Sequence, residues 1–199
     1  MPAPTIYFIR HGETSWNAAG RLQGVQDIAL NELGRRQAAH AGRVLGDLLA
    51  RDGHDKSALP FVASPLIRAR ATMELVRGEL GLPPGDYILD RRLREIGYGV
   101  WEGSTLAEAQ AADPALYARR QADKWTVSPS GGESYVEVQA RMTDWYHSVT
   151  SDTVAVAHGG TARALMVALG HETPVSAADL YIEQGAVYVF GEQGLRKYS

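Results

Sequence analysis

Two histidines, two arginines and a serine stand at or just past the ends of three short apolar runs. Residues 5–9 run into Arg10-His11-Gly12, residues 60–63 end at Ser64 with Arg68 following, and residues 153–157 run into His158-Gly159-Gly160. In open α/β sheets, ligands bind beyond the carboxyl ends of the strands. A helix N-terminus placed there offers free backbone N–H groups and the positive end of a dipole, both of which favour an anion. Arginines supply forked, charge-assisted donors. The combination reads as a cradle for a phosphate group.

Each piece has an ordinary reading when taken alone. A single histidine after a strand is usually structural, and an arginine early in a helix usually faces solvent. Gly159-Gly160 can be only a tight turn, and Glu95 only a solvated acid. Arg119, Arg120 and Lys124 read as an exposed helix face. Trp16, Trp101, Trp125 and Trp145 read as packing residues. The informative observation is that three run ends agree.

The elements that must position these groups follow from local pattern. Runs 5–9, 60–63 and 153–157 are short and β-rich, which predicts buried strands; 87–89 is a further strand candidate. Asn31 precedes apolar positions at Leu33, Ala38, Ala41, Val44, Leu45, Leu48 and Leu49, which predicts a capped helix over 32–50. Ser64-Pro65 reads as an N-cap with proline at the first helical position, opening a helix that ends near Leu80. Residues 13–30 and 93–103 read as loops, and 106–124 as a helix interrupted at Pro114. Ser134 and Glu137 fit a capping box for a helix reaching about Val149. A helix over 161–169 closes at Gly170, and 185–190 with 195–198 reads as a terminal hairpin. Strands alternating with helices imply an α/β fold: a three-layer sandwich with a mostly parallel, mixed sheet and helices on both faces. The 199 residues read as one domain, with residues 104–131 as an excursion that lies over the site as a lid.

Composition narrows the function classes. The net charge is −3, from 20 basic and 23 acidic residues, which argues against a nucleic-acid binder or a membrane-surface polycation. There is no cysteine, so thiolate nucleophiles, thiolate metal sites and disulfides are excluded together. No secretory signal or membrane-spanning run is visible, and a cytoplasmic location is expected.

The motifs, taken in order, carry a resemblance. Arg10-His11-Gly12-Glu13-Thr14-Ser15-Trp16-Asn17 resembles the signature of the histidine phosphatase superfamily, the phosphoglycerate mutase-like family. Arg21-Leu22-Gln23-Gly24, Leu30-Asn31-Glu32-Leu33-Gly34, Ser64-Pro65-Leu66 with Arg68, Leu93-Arg94-Glu95, Gly131-Gly132-Glu133-Ser134 and Val156-Ala157-His158-Gly159-Gly160 continue it. The resemblance implies a phosphoglycerate mutase-like fold and roles for particular residues. His11 would be the nucleophile, and Glu95 the acid that protonates the leaving alcohol and then the base for water. Arg10, Arg68 and His158 would hold the phosphoryl oxygens, with Asn17, Gln23 and Gly159 assisting. No metal and no cofactor are implied. The physical chemistry agrees: only neutral imidazole attacks, an ordinary histidine pKa is about 6.5, and Arg10 and Arg68 disfavour imidazolium. A positioned proton donor for an alkoxide leaving group is worth about 10²–10⁴-fold.

The family resembled holds both phosphatases and mutases. The compact chain and the acid motif's ending, Trp101-Glu102-Gly103, are more similar to the phosphatase branch, which implies hydrolysis of a small phosphorylated metabolite. Arg119-Arg120 stands at about the spacing where mutases place an arginine pair that grips a carboxylate. That keeps open a phosphoglycerate mutase or a sugar-bisphosphate phosphatase. Two other classes are a zinc hydrolase using His11, His158 and Glu95, which the adjoining arginines oppose, and a non-catalytic phosphate-binding module.

Overall fold

The computed structural model describes residues 3–199; Met1 and Pro2 lie outside the described residues. Its centre is a six-stranded sheet. The strands are β1 (Ile6–Arg10), β2 (Phe61–Ala63), β3 (Ile88–Leu89), β4 (Thr153–Ala157), β5 (Val187–Gly191) and β6 (Gly194–Tyr198), in the spatial order β3-β2-β4-β1-β5-β6. The β1–β4, β2–β4 and β2–β3 ladders are parallel, and β1–β5 and β5–β6 are antiparallel. The sheet is therefore mixed and mostly parallel. Strands β1, β2 and β4 are buried on both faces, which is why they read as unbroken apolar runs.

The helices are α1 (Ser15–Ala18), α2 (Glu32–Arg51), α3 (Ile67–Glu79), α4 (Leu106–Ala112), α5 (Pro114–Ala122), α6 (Tyr135–Ser148), α7 (Gly159–Ala168) and α8 (Pro174–Ala178). Tyr7, Ile9, Val154 and Val156 face α2 and α3, while Ile6, Phe8, Ala155 and Ala157 face α6, α7 and α8. Alternation along each strand thus feeds two separate cores, and the architecture is the three-layer sandwich. Helix α2 buries Ala38, Ala41, Leu45, Leu48 and Leu49 at helical spacing, and its Asn31 cap accepts the Gly34 N–H at 2.8 Å. At Gly42 a Cβ would stand 2.8 Å from the Glu79 side chain and 3.0 Å from the Val76 backbone, so glycine sets how closely α2 approaches α3.

The interruption expected at Pro114 is present, dividing 106–124 into α4 and α5: the Asp113 side chain caps α5 by accepting the Leu116 N–H at 2.9 Å, and Pro114 occupies the first turn. Several elements differ from the sequence reading. Ser64 and Pro65 do not start α3; Leu66 is its N-cap and makes no side-chain cap bond. The Ser64 hydroxyl is engaged with His158 instead. Helix α7 starts at Gly159 rather than 161, with His158 as its cap residue. The expected loop 13–30 contains α1, closed by a reciprocal Thr14–Asn17 capping box, and the 93–103 segment holds a 3-10 turn over Gly99–Trp101. Helix α8 falls between the expected elements. Helices α4 and α5 form a small third cluster, in which Trp101, Ala109 and Leu116 pack away from the sheet cores.

Candidate active site

Three adjacent interior strands, β2, β4 and β1, deliver the site at their carboxyl ends. Arg10 pairs with Ala157 at the ends of β1 and β4, so His11 and His158 emerge side by side. Their ring centroids are 5.0 Å apart. Ser64, one residue past β2, reaches His158 Nε2 at 2.7 Å. His11, Ser64, Arg68 and His158 are all buried.

The hydrogen bonds fix the chemistry of each ring. His11 Nδ1 lies 2.7 Å from the Gly12 carbonyl oxygen, which can only accept, so Nδ1 carries the proton. Nε2 is left as a lone pair, the state in which imidazole attacks. The Ser64 oxygen accepts from the Leu66 N–H at 3.3 Å, and since its O–H has no other acceptor among the described residues, it donates to His158 Nε2. Neutral His158 then carries its proton on Nδ1, a buried nitrogen with no protein partner. Both imidazoles are held well below the ordinary histidine pKa. For His11 the causes are burial, then the charges of Arg68 and Arg10; for His158 they are burial, then Arg68.

The arginines are anchored by part of each guanidinium only. Arg68 donates Nη1 to the Gln26 carbonyl at 2.7 Å and Nη2 to the Gly24 carbonyl at 2.8 Å. Arg10 Nη1 donates to the Ile182 carbonyl. Nε of both arginines is buried without an acceptor. Buried donors are normally paired. Of four unpaired buried side-chain atoms among the described residues, three belong here: Arg10 Nε, Arg68 Nε and His158 Nδ1. Arg10 and Arg68 share a cavity with His11, whose ring is beside that of His158, and the three unpaired nitrogens suit the oxygens of a tetrahedral anion.

Arg10, His11, Asn17, Gln23, Arg68, Glu95 and Gly159 line one cavity of about 150 Å³. Thr14 occupies Asn17 Oδ1 at 3.1 Å and Gln23 Oε1 at 3.0 Å, which leaves both amide nitrogens for the cavity. Glu95 Oε1 accepts the backbone N–H groups of Ile96 and Gly160, each at 2.9 Å, while Oε2 makes no hydrogen bond to the described residues. A Cβ at 160 would overlap Glu95 Oε1 and stand 2.8 Å from Ile96 Cγ2, so this contact requires glycine. Behind it, Glu133 accepts the Gly97 N–H at 2.9 Å and pairs with Arg141 at 3.1 Å, tying the acid's loop to α6.

A second cavity, of about 220 Å³, adjoins the first and shares Leu22, Tyr98 and Arg163 with it. Its other walls include Trp101, Tyr117 and Arg120. Arg120 is not on an exposed face. It is buried, donates to the Val127 carbonyl at 2.7 Å, and lies 5.7 Å from the Tyr98 ring centroid and 5.9 Å from that of Trp101. Arg119 is exposed and lines neither cavity. Tyr98 and Arg163 were missed by sequence reasoning. Arg163 stands four residues after Gly159 on α7, so a helical projection from Gly159 finds it. Among the described residues, no group of three or more histidine, aspartate or glutamate side chains is arranged to hold a metal, so the zinc alternative lacks a ligand set. Nor is any helix among them long and apolar enough to cross a membrane.

Comparison with known proteins agrees with this geometry. Residues 6–197 match the sequence profile of the histidine phosphatase superfamily (branch 1). The chain is 38% identical over 182 residues to the glucosyl-3-phosphoglycerate phosphatase of Mycolicibacterium vanbaalenii, covering 85% of this chain and 75% of that one. It is 33% identical over 194 residues to the 2,3-bisphosphoglycerate-dependent phosphoglycerate mutase of Methylobacterium radiotolerans, covering 93% and 88%. Among solved structures it is similar to a mycobacterial glucosyl-3-phosphoglycerate phosphatase complexed with VO3, at TM-score 0.79 and 32% identity over 98% of each chain. Bacillus stearothermophilus YhfR is as similar, at TM-score 0.79 and 30% identity over 98% and 95%. The chain belongs to the histidine phosphatase superfamily, branch 1, and is a phosphoric monoester hydrolase of that family.

Proposed function

We propose that the protein removes the phosphoryl group from a small phosphorylated metabolite of the sugar-phosphate class, with His11 as nucleophile and Glu95 as acid and base. The observation that supports this reading is the set of three buried, unpaired nitrogens on Arg10, Arg68 and His158, the residues that stand beside His11. In the first step His11 Nε2 bonds to phosphorus while the bond from phosphorus to the ester oxygen breaks. Glu95 Oε2 delivers a proton to that oxygen, and the alcohol leaves. In the second step Glu95 takes a proton from water, the water oxygen bonds to phosphorus, and the Nε2–phosphorus bond breaks. Inorganic phosphate is released and His11 returns to its starting state. Arg10, Arg68 and His158 stabilise the charge on the equatorial oxygens in both steps, with Asn17, Gln23 and the Gly159 N–H as further donors. None of these steps needs a metal. The segment 104–131 forms the wall against the departing alcohol and sets which alcohol fits.

A transfer reading, in which the phosphoryl group returns to a second phosphoglycerate position, is favoured by the likeness to the mutase. One assay separates the two: hydrolysis releases inorganic phosphate from 3-phosphoglycerate and related esters, whereas transfer yields 2-phosphoglycerate in the presence of a bisphosphate primer. His11→Ala should abolish phosphate release from p-nitrophenyl phosphate and acid-labile labelling of the protein. An active, labelled variant would remove His11 from the nucleophile's role. Activity in excess chelator should equal activity without it; a loss would restore the zinc alternative.

A further inference from the structure

Helix α6 buries Val138, Met142 and Trp145 at helical spacing, and Arg141 stands within the same stripe. A guanidinium turned toward a core is costly unless acceptors meet it. Arg141 meets three. Its Nη1 donates to the Arg92 carbonyl and its Nη2 to the Glu95 carbonyl at 3.3 Å. Nε and Nη2 donate to the two oxygens of Glu133, each at 3.1 Å. Arg141 lines neither cavity, so the phosphoryl cradle makes no use of its charge.

Two of those acceptors belong to the segment that carries the acid. The Glu95 carbonyl and the Ile96 N–H are the two ends of one trans peptide unit, and in a planar trans unit they point in opposite directions. Arg141 holds the carbonyl end, and the N–H end donates to Glu95 Oε1 at 2.9 Å. The following peptide is held by Glu133, whose Oε2 accepts the Gly97 N–H at 2.9 Å and whose own N–H donates to the Gly97 carbonyl at 2.8 Å. The 95–96 peptide cannot rotate without breaking a charge-assisted bond. Oε1 takes both the Ile96 and the Gly160 N–H groups, so it is the accepting oxygen of the carboxyl group, and the proton of the acid form sits on Oε2. We propose that Arg141, locked by Glu133, is a positioning residue of the reaction: by fixing the 95–96 peptide it aims the proton-bearing oxygen of Glu95 at the ester oxygen. This inference rests on the reading of Glu95 as the acid.

The test uses phenyl phosphate and p-nitrophenyl phosphate, which place the same ring against the same wall. Phenolate departs poorly without a proton, whereas p-nitrophenolate departs readily without one. The readout is the ratio of kcat/KM for the first ester to that for the second. Arg141→Gln should lower this ratio about tenfold, because a displacement on the order of 1 Å in a reacting group costs up to about a hundredfold. Glu133→Gln keeps the shape and an acceptor for the Gly97 N–H but removes the charge that locks Arg141. It should lower the ratio by a smaller factor, and it serves if a urea unfolding curve shows that the arginine variant fails to fold. Arg141→Lys, with a point charge in place of a fork, should restore only part of the ratio. In Glu95→Gln no acid proton remains to be aimed, so the ratio is already low and adding Arg141→Gln should lower it no further. A ratio unmoved by Arg141→Gln, even where both esters slow together, would overturn the proposal, and so would a further fall in the Glu95→Gln background. A ratio unchanged by Glu95→Gln alone would instead remove the acid assignment and the proposal with it, whereas the other outcomes leave that assignment standing.

Discussion

Gly160 offers the most direct test of how the acid is positioned. Its N–H and that of Ile96 both donate to Glu95 Oε1 at 2.9 Å. Gly160→Ala places a methyl group over that oxygen, with Ile96 Cγ2 only 2.8 Å away on the other side. The methyl has no room to relax, because α7 fixes the backbone, so the carboxyl group must swing away and lose the Gly160 bond. A displacement on the order of 1 Å in a catalytic group is enough to cost about a hundredfold in rate. The full contribution of a positioned acid is about 10²–10⁴-fold. We therefore expect kcat/KM for an alkyl phosphate to fall by about a hundredfold. For p-nitrophenyl phosphate, whose leaving group departs without a proton, the fall should stay within about threefold. The ratio kcat/KM is the appropriate readout because it ends at the first irreversible step and does not include the return of water. Helix propensity alone would make the alanine variant slightly more stable, so a urea unfolding curve separates misfolding from mispositioning. Equal losses on both esters would refute the acid assignment of Glu95, and no loss on either would refute the role of the Gly160 contact.

Other expectations follow from burial and charge. His11 and His158 titrate well below the ordinary value in the folded protein, so below about pH 6.5 the unfolded chain binds protons that the folded chain refuses. Stability should therefore be fullest above that pH and fall as pH drops through it, by up to about 1.4 kcal/mol per pH unit for each imidazole. Urea unfolding between pH 7.5 and 5.5 measures the slope, and a slope unchanged in His158→Gln would contradict the account. Arg120→Ala removes bonds to the Lys124 and Val127 carbonyls and the support between two aromatic rings, and should cost about 1–3 kcal/mol of stability. Arg119→Ala, on the exposed face, should stay within about 0.5 kcal/mol, and equal effects from the two would show that they share one face after all.

How far the sequence could be read depended on whether a residue's role was local. The buried strands were legible because parallel strands covered on both faces must be continuously apolar, as in Thr153–Ala157. The caps at Asn31 and Ser134 were legible because each bonds within three residues of itself. Ser64 looked like another cap, yet its hydroxyl bonds to His158, ninety-four residues away in the chain. No local pattern distinguishes those two fates. Arg120 shows the opposite case. It stands four residues after buried Leu116, so a helical projection puts both on one face, while its neighbour Arg119 turns outward. Treating the pair as a single charged patch hid that difference. The family motifs pointed to Arg10, His11, Arg68 and Glu95, which line one cavity, and to His158, whose ring stands beside that of His11, but Tyr98 and Arg163 stand out only once two cavities are seen to share a wall.

The two imidazoles owe their separation to the ladder between β1 and β4, whose last hydrogen bond runs from the His11 N–H to the Ala157 carbonyl at 3.0 Å. Neighbouring strands are about 4.8 Å apart in any sheet, so the 5.0 Å between the rings is inherited from backbone pairing. The reacting centre is thereby built onto the buried, fully paired centre of the sheet, while α4 and α5 rest on a small cluster of their own. Fluctuation, or wholesale rewriting, of the segment that meets the alcohol leaves the spacing of the nucleophile and its partner untouched. Chemistry and selectivity can diverge at different rates in such a chain, because they are written in different layers of it.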